Sequence, residues 1–265
     1  MNSLSKNQLA YLKARRHYKI IVQFSRVFIF VSFLFLWEFT TRLEMIDSFI
    51  FSSPCKIATC FWKMVRDRSI FLHIGITLSE TFVSFLLVTI FSILAATLLW
   101  FSKMLLDITE PLLVILNSLP KSALAPLLIV WLGATKKTII VAGMSVAIFG
   151  SIMSMSTSFR EVNPDKLKLV QTLGGNKYQV LTKVVVPSCI PAIVSNMKVN
   201  IGLCLVGVII GEFLAARNGL GYLIIYSSQV FKMDWLLMSI VILCVLAMGL
   251  YALISAVEKV YQKHF

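Results

Sequence analysis

Acidic residues are scarce in this chain: 12 Asp and Glu stand against 25 Lys and Arg, with only three His in 265 residues. His17, His73 and His264 are far apart, so no two of them are spaced for a metal site or a catalytic pair. The five cysteines show no metal spacing: Cys55 and Cys60 lie five apart, and Cys189, Cys204 and Cys244 sit in apolar context, as packing residues do. No G-x4-G-K-[ST] run occurs, so ATP is not bound here in that way. The stretch "NGLGYLI" at 218–224 has two glycines but lacks the helix and acid of a dinucleotide fingerprint; it predicts a tight turn into a short amphipathic segment. No His, Asp and Glu set converges within the apolar segments, which excludes a membrane-embedded enzyme; neither a catalytic nor a metal site is expected.

What is abundant is apolar. Hydrophobic residues make up 58% of the chain and the mean hydropathy is +0.86, whereas soluble domains are about 45–50% apolar. A transmembrane helix needs about 20 mostly apolar residues, and six segments qualify: roughly 20–38, 75–101, 112–132, 138–157, 188–211 and 235–257. The third is interrupted by "NSLPKSALAP". The chain therefore divides into a basic tail 1–19, a transmembrane region 20–257 and a short tail 258–265, an all-α integral membrane protein. The tail "MNSLSKNQLAYLKARRHYK" is too long and basic for a cleavable signal, so the first span is expected to be retained. Two halves related by a repeat, which a self-sufficient secondary transporter or channel would show, are not evident in spans one to three and four to six.

The net charge of +13 sits mainly in tails and loops, so it needs an anionic lipid surface and no nucleic acid. Six spans put both ends on one side. That side holds thirteen Lys and Arg against nine on the other, which favours cytoplasmic termini. Between the first two spans, "SSPCKIATCFWKMVRDRS" predicts a helix capped by Ser53 with Pro54 first. Ile57, Phe61, Met64 and Val65 recur along it at helical spacing, as on a segment lying at the membrane surface.

The loop 158–187 breaks the apolar pattern. Asn163 is a good N-cap, Pro164 suits the first helical position, and Asp165 favours the positive end of a helix. The helix is expected to run to Leu173, with Gly174 in the left-handed conformation that stops it. Asn176 can cap a second short helix that ends before Pro187. Leu169, Val170 and Leu173 form an apolar strip on the first. A rod so short cannot bury itself; it lies on its own bundle or docks in a partner's groove.

Gly174, nine further residues, then Val184-Val185-Val186-Pro187 resembles the G-x9-I-x-L-P signature of permease subunits of binding-protein-dependent ABC importers. "LWEFTTRLEMIDSFIFSSP", "SLPKSALAPLLIVWLG" and "VGVIIGEFLAARNGLGYLI" are similar to segments of the sulfonate, taurine and nitrate-type branch, so the likeness runs over nearly the whole chain. It implies a type I ABC importer permease fold of about six spans. Loop 158–187 then carries the coupling helix that seats in an ATPase subunit, with Asp165, Lys168, Leu169, Val170, Leu173, Gly174, Val184, Val186 and Pro187 as its residues. Lys168 stands where the family often has Glu. The resemblance implies ATPase subunits that bind ATP and Mg, a second permease copy, an extracytoplasmic solute-binding protein, and no cofactor on this chain. The implied solute is a small anion such as a sulfonate, taurine or nitrate; related branches carry thiamine-precursor pyrimidines.

Lys121 and Lys198 are expected near mid-depth of spans three and five, where a charge is costly unless paired or wet. With Pro120 and Glu212 they are the candidate translocation-path residues. The lysines would favour an anion, or be structural: paired, snorkelling, or bonded to carbonyls freed by Pro120 or Pro191. Glu80 and Glu212 are placed towards the outer ends of their spans, paired with basic groups, lining the outer mouth or solvated. Glu80 sits where the branch often has a basic residue.

Overall fold

The computed structural model describes residues 6–264, and the side chains of residues 15–259. The regular elements of the described residues are all helices, with no strand among them. Helix α1 (Lys6–Arg42) leads into a short α2 (Ser48–Phe51), α3 (Pro54–Arg66) and the long α4 (Ser69–Phe101). A broken pair follows, α5 (Lys103–Ser118) and α6 (Lys121–Leu132), then α7 (Lys136–Arg160). The polar loop carries α8 (Pro164–Thr172) and α9 (Lys177–Val180). One π-helical turn (Leu181–Val185) then joins α10 (Val186–Ala215), and α11 (Leu220–Gln229) and α12 (Met233–His264) complete the chain. Both tails divided off above are continuations of helices: α1 begins at Lys6 and α12 ends at His264, with residues 1–5 and 265 outside the described residues.

Five helical stretches are long and apolar enough to cross a membrane, and the α5–α6 pair makes a sixth if its two halves count together. Its halves meet at 95°. Pro120 causes the break. A residue before proline is pushed out of the helical region, and Leu119 is extended with ψ at 138°, so α5 stops at Ser118. The pair nonetheless runs alongside α7 from one of its ends to the other. Glu110 on α5 lies 3.9 Å from Arg160 at the end of α7, while α6 ends three residues before α7 begins. Since α7 has 25 residues, its ends are about 37 Å apart, more than the ~30 Å hydrocarbon core.

The centre of the bundle is α7 packed between α4 and α10. Here the backbones touch. A Cβ on Gly207 would come within 2.8 Å of the Ala142 carbonyl oxygen and the Gly143 Cα, and one on Gly143 within 2.6 Å of Ser84 Oγ. Gly207 and Gly211 form a small-x3-small pair, which lets membrane helices approach closely where no hydrophobic effect drives them together. Ser84 Oγ donates to the Ile140 carbonyl at 3.1 Å and ties α4 to α7. Phe85, Val88, Ala147, Ile201 and Cys204 fill the space beside this contact.

The α3 helix has the expected cap: Ser53 Oγ accepts the Lys56 N–H at 3.3 Å, and Pro54 is its first residue. Its apolar face does not lie free as a surface segment would. Cys60 and Met64 are buried against Ile70 of α4, Leu220 and Leu223 of α11 and Met238 of α12, with Ile57, Phe61 and Val65 around them. Of the five cysteines, Cys60, Cys189 and Cys204 are buried, whereas Cys55 and Cys244 are exposed and so are not core residues of this chain.

Gly207→Leu is expected to cost about 1–3 kcal/mol or more through overpacking, seen as a lower thermal midpoint of the detergent-solubilised protein. Gly202→Ala, with nothing within 4 Å of the added carbon, leaves the midpoint near wild type.

Candidate functional site

The polar loop folds as a rigid joint. Asn163 Oδ1 accepts the Asp165 N–H at 2.8 Å and starts α8. At its end Gly174 takes φ +83°. The Gly174 N–H donates to the Gln171 carbonyl at 3.0 Å and the Gly175 N–H to the Val170 carbonyl at 2.9 Å. These are the two bonds of a Schellman stop. Gly175 is needed beside it, because a Cβ there would lie 2.7 Å from the Val170 oxygen. Asn176 and Gln179 then form a reciprocal capping box at 2.8 and 2.9 Å.

Beyond this point the chain departs from expectation. The second helix does not end before Pro187. It runs through the π turn into α10 as one helix, Lys177–Ala215. A proline lacks the N–H and crowds the carbonyl four residues earlier. The π turn absorbs this: the Val186 N–H reaches back to Leu181 instead, loosening the ladder just ahead of Pro187. The continuous helix has 39 residues, a rod of about 58 Å.

The expected apolar strip on α8 splits in two. Val170 turns inward with Leu167 and Val162, against Met155 and Phe159 of α7 and Val180, Leu181 and Val185 of the incoming helix. Val184 and Val186 are half-buried on the same cluster, whereas Pro187 is exposed. Leu169 and Leu173 point outward, 61% and 79% exposed, and Tyr178 joins them at 66%. Asp165 and Lys168 are also exposed. The loop is thus anchored on one side and presents two leucines and a tyrosine on the other.

The four path candidates are not brought together. Lys121 opens α6 rather than lying midway along a continuous span. Its Nζ donates to the Leu116 and Asn117 carbonyls at 2.7 and 2.8 Å, groups left free where Pro120 ends α5. The ammonium also sits 5.6 Å from the centre of the Phe149 ring. Lys198 is not an unpaired charge: it forms an ion pair with Glu258 of α12. Of the alternatives open to it, Lys198 takes the paired one, because α12 continues past the apolar stretch and brings Glu258 to the lysine.

Glu212 and Glu80 are neither solvated nor paired with basic groups. Glu212 is fully buried and Glu80 nearly so. Glu212 accepts the Thr77 hydroxyl at 2.7 Å and the Gly221 N–H at 2.6 Å. The turn before α11 holds them, with Gly219 at φ +120° and its backbone laid on the Glu212 carboxyl. The short helix expected after "NGLG" is α11. Its first turn is anchored, since His73 Nδ1 accepts the Gly219 N–H at 3.0 Å and Thr77 Oγ1 the Leu220 N–H at 2.8 Å.

Sequence reasoning passed over a cavity with a row of polar side chains on its wall. A space of about 410 Å³ opens between α7 and α10, lined by Ser151, Ser154, Ser158, Ser195, Asn196 and Asn200 among others. Ser151 Oγ accepts both asparagine amides, at 2.7 and 2.8 Å. A second space of about 190 Å³ shares Ser158 and Ala192 with it and continues to Asn163 and Lys166 of the loop. The signal was legible: serines at 151, 154 and 158 and asparagines at 196 and 200 each lie on one helix face.

A helical bundle with one broken span, a polar groove and an anchored loop defines an all-α, multi-pass membrane permease of the type I importer fold. Residues 88–263 match the family described as binding-protein-dependent transport system inner membrane component, and the chain belongs to that family. It is 27% identical over 218 residues to a probable ABC transporter permease protein of Haemophilus influenzae, covering 82% of this chain and 88% of that one. It is 25% identical over 226 residues to a riboflavin transport system permease protein of Chloroflexus aurantiacus, covering 85% and 84%. Further relatives bear the names aliphatic sulfonates, formylaminopyrimidine and taurine transport permease proteins. In fold the chain is similar to a chain of the MetNI methionine ABC transporter in an inward-facing conformation, with a TM-score of 0.65 at 17% identity, covering 76% of this chain and 97% of that one.

The ion pair of α10 and α12 should behave as a unit. Lys198→Met and Glu258→Gln are each expected to destabilise by about 1–3 kcal/mol, because each leaves a poorly solvated charge, while the double variant recovers most of the loss. A double-mutant cycle on thermal midpoints checks this.

Proposed function

We propose that the chain is the membrane-spanning half of an ABC importer, working as a homodimer with two ATPase subunits and an extracytoplasmic solute-binding protein. ATP and Mg are bound and ATP hydrolysed in the partner subunits; this chain carries no cofactor and no catalytic residue. Loop 158–187 faces the cytoplasm, as do both termini. The observation that carries the reading is the outward face of Leu169, Leu173 and Tyr178 on a loop anchored beneath by Val170 and Val162. Exposed leucines beyond the membrane fit a partner groove. Asp165, Lys168 and Gly174 belong to this coupling surface, and Val184, Val186 and Pro187 carry its motion into α10. Because helix Lys177–Ala215 is unbroken, a push at the loop tilts the whole rod to Glu212, and the α7–α10 groove opens to one side or the other.

The solute is a small anion of the sulfonate, taurine or nitrate kind. Lys121 supports this. It sits at the start of α6, which has no side-chain cap, so a cation and free helix N–H groups occur together, as at anion sites on broken spans. Phe149, whose ring Lys121 approaches, is the neighbour of Gly150 at the groove. Lys198, neutralised by Glu258, is structural in this reading. One observation favours a second solute class: the groove itself is lined by hydroxyls and amides without charge, which suits a neutral pyrimidine.

Purification of the tagged chain should bring an ATPase subunit with it. In vesicles of the assembled complex, Gly174→Pro is expected to lower uptake at least tenfold while ATP hydrolysis persists; normal uptake defeats the coupling role. Lys121→Met should reduce uptake of an anion more than that of a pyrimidine. Equal uptake of the anion by wild type and variant would remove the lysine from the path. Lys168→Glu should weaken assembly and be rescued by charge reversal on the ATPase, with absence of rescue leaving Lys168 a solvated residue.

A further inference from the structure

At the end of the bundle away from loop 158–187, α2, α3 and the start of α12 enclose a cleft. One space of about 330 Å³ lies between Ser48, Phe49 and Lys56 on one side and Phe231, Lys232 and Trp235 on the other. A second, of about 310 Å³, continues along α3 past Thr59 to Lys63. The two share Lys56, Asp234 and Trp235, so they form one trough.

The trough is cationic. Lys56 and Lys63 stand seven apart, on one face of α3, and Lys232 enters from the turn before α12. None of the three makes an ion pair among the described residues. The acid in the trough is Asp234, and one of its oxygens already accepts the Ser52 hydroxyl. The lysines keep donors to spare. Lys56 Nζ gives one bond, to Ser48 Oγ at 2.8 Å, and an ammonium has three protons. Lys232 Nζ lies 4.6 Å from the centre of the Trp235 ring, a contact that holds the ammonium without using its hydrogen bonds.

The position suits the headgroup level of a membrane. Lys232 and Trp235 flank the first turn of α12, which is long and apolar enough to cross, and tryptophan gathers where hydrocarbon meets headgroups. The rim is aromatic and open: Phe49, Trp62 and Phe231 are 64%, 67% and 63% exposed. Phe231 is held there at a cost. It ends α11 with φ +56°, and the next residue's N–H donates to the Ser227 carbonyl at 2.9 Å. Left-handed backbone is unfavourable for a bulky side chain, and glycine is usual at such a stop. A ring both strained and exposed gains only from something outside this chain. A free anion uses the lysines but not the ring; a lipid uses both.

We propose that this trough binds one anionic phospholipid of the leaflet away from loop 158–187. Lys56 and Lys232 hold its phosphate, Lys63 adds charge along the trough, and Phe49 and Phe231 lie against its acyl chains. The lipid bridges α3 to α12 beside the Ser52–Asp234 hydrogen bond. The site requires that the chain spans a membrane, not that it imports a solute.

The test is native mass spectrometry of the full chain in detergent, titrated with phosphatidylglycerol or with phosphatidylcholine of the same acyl chains. The wild type should retain one phosphatidylglycerol about tenfold more tightly than phosphatidylcholine. The double variant Lys56→Gln/Lys232→Gln should lose that preference. Lys103→Gln, which removes a charge beside the loop end of α4, should keep it. Phe231→Gly should weaken retention without lowering the thermal midpoint of the lipid-free chain. A double variant that still prefers phosphatidylglycerol overturns the proposal. So does displacement of the lipid by inorganic phosphate at equal concentration, which would mean a site for a free anion. Loss of a co-purifying soluble protein with lipid retention unchanged also overturns it, and would mean a protein dock. If the double variant does not fold, the wild type and Phe231→Gly still decide: equal retention of the two lipids by the wild type, or full retention by Phe231→Gly, overturns the proposal.

Discussion

The contact of α7 with α10 is the constraint on which the other helices depend. In hydrocarbon the burial of side chains gains nothing over lipid, so helices stay together through close backbone approach and buried polar links. Gly143, Gly207 and Gly211 provide the approach. Ser151 with Asn196 and Asn200, and Ser84 with the Ile140 carbonyl, provide the links. The same asparagines and serines line the groove. The contact and the groove thus draw on one set of residues, and a change that tightens the contact also narrows the groove.

The two ends of α10 are held differently. At the loop, the π turn lets the helix run on through Pro187, so α9 and α10 form one continuous helix. At the far end, Glu212 gathers Thr77, Gly219 and Gly221 around a buried carboxyl. The helix is thus unbroken from the loop to the contacts at its far end. Pro191 lies within α10 yet the helix is unbroken, as membrane helices permit when neighbours satisfy the freed carbonyls.

Charge inside the bundle is resolved in two ways. Lys121 is met by carbonyls at the end of α5 and Lys198 by Glu258. The first solution is local, formed within five residues. The second joins residues 60 positions apart.

Local signals were legible in the sequence. The apolar runs, the caps at Ser53, Asn163 and Asn176, the stop at Gly174 and the break at Pro120 all depend on a few neighbouring residues, because caps, turns and proline effects act within one helical turn. The likeness of the G-x9 spacing to importer permeases was legible for the same reason. What only the tertiary structure decided is the company that distant residues keep. Pro187 would end a helix in isolation, and the packing of Val180, Leu181 and Val185 on α7 carries the chain through it. The strip of Leu169, Val170 and Leu173 divides because the bundle takes one side chain and leaves two. Glu212 is buried because Gly219 and Gly221 fold back over it, and Lys198 is paired because α12 brings Glu258 to its level. Periodicity specifies which residues share a face; which face meets which partner is settled only when all the helices are packed.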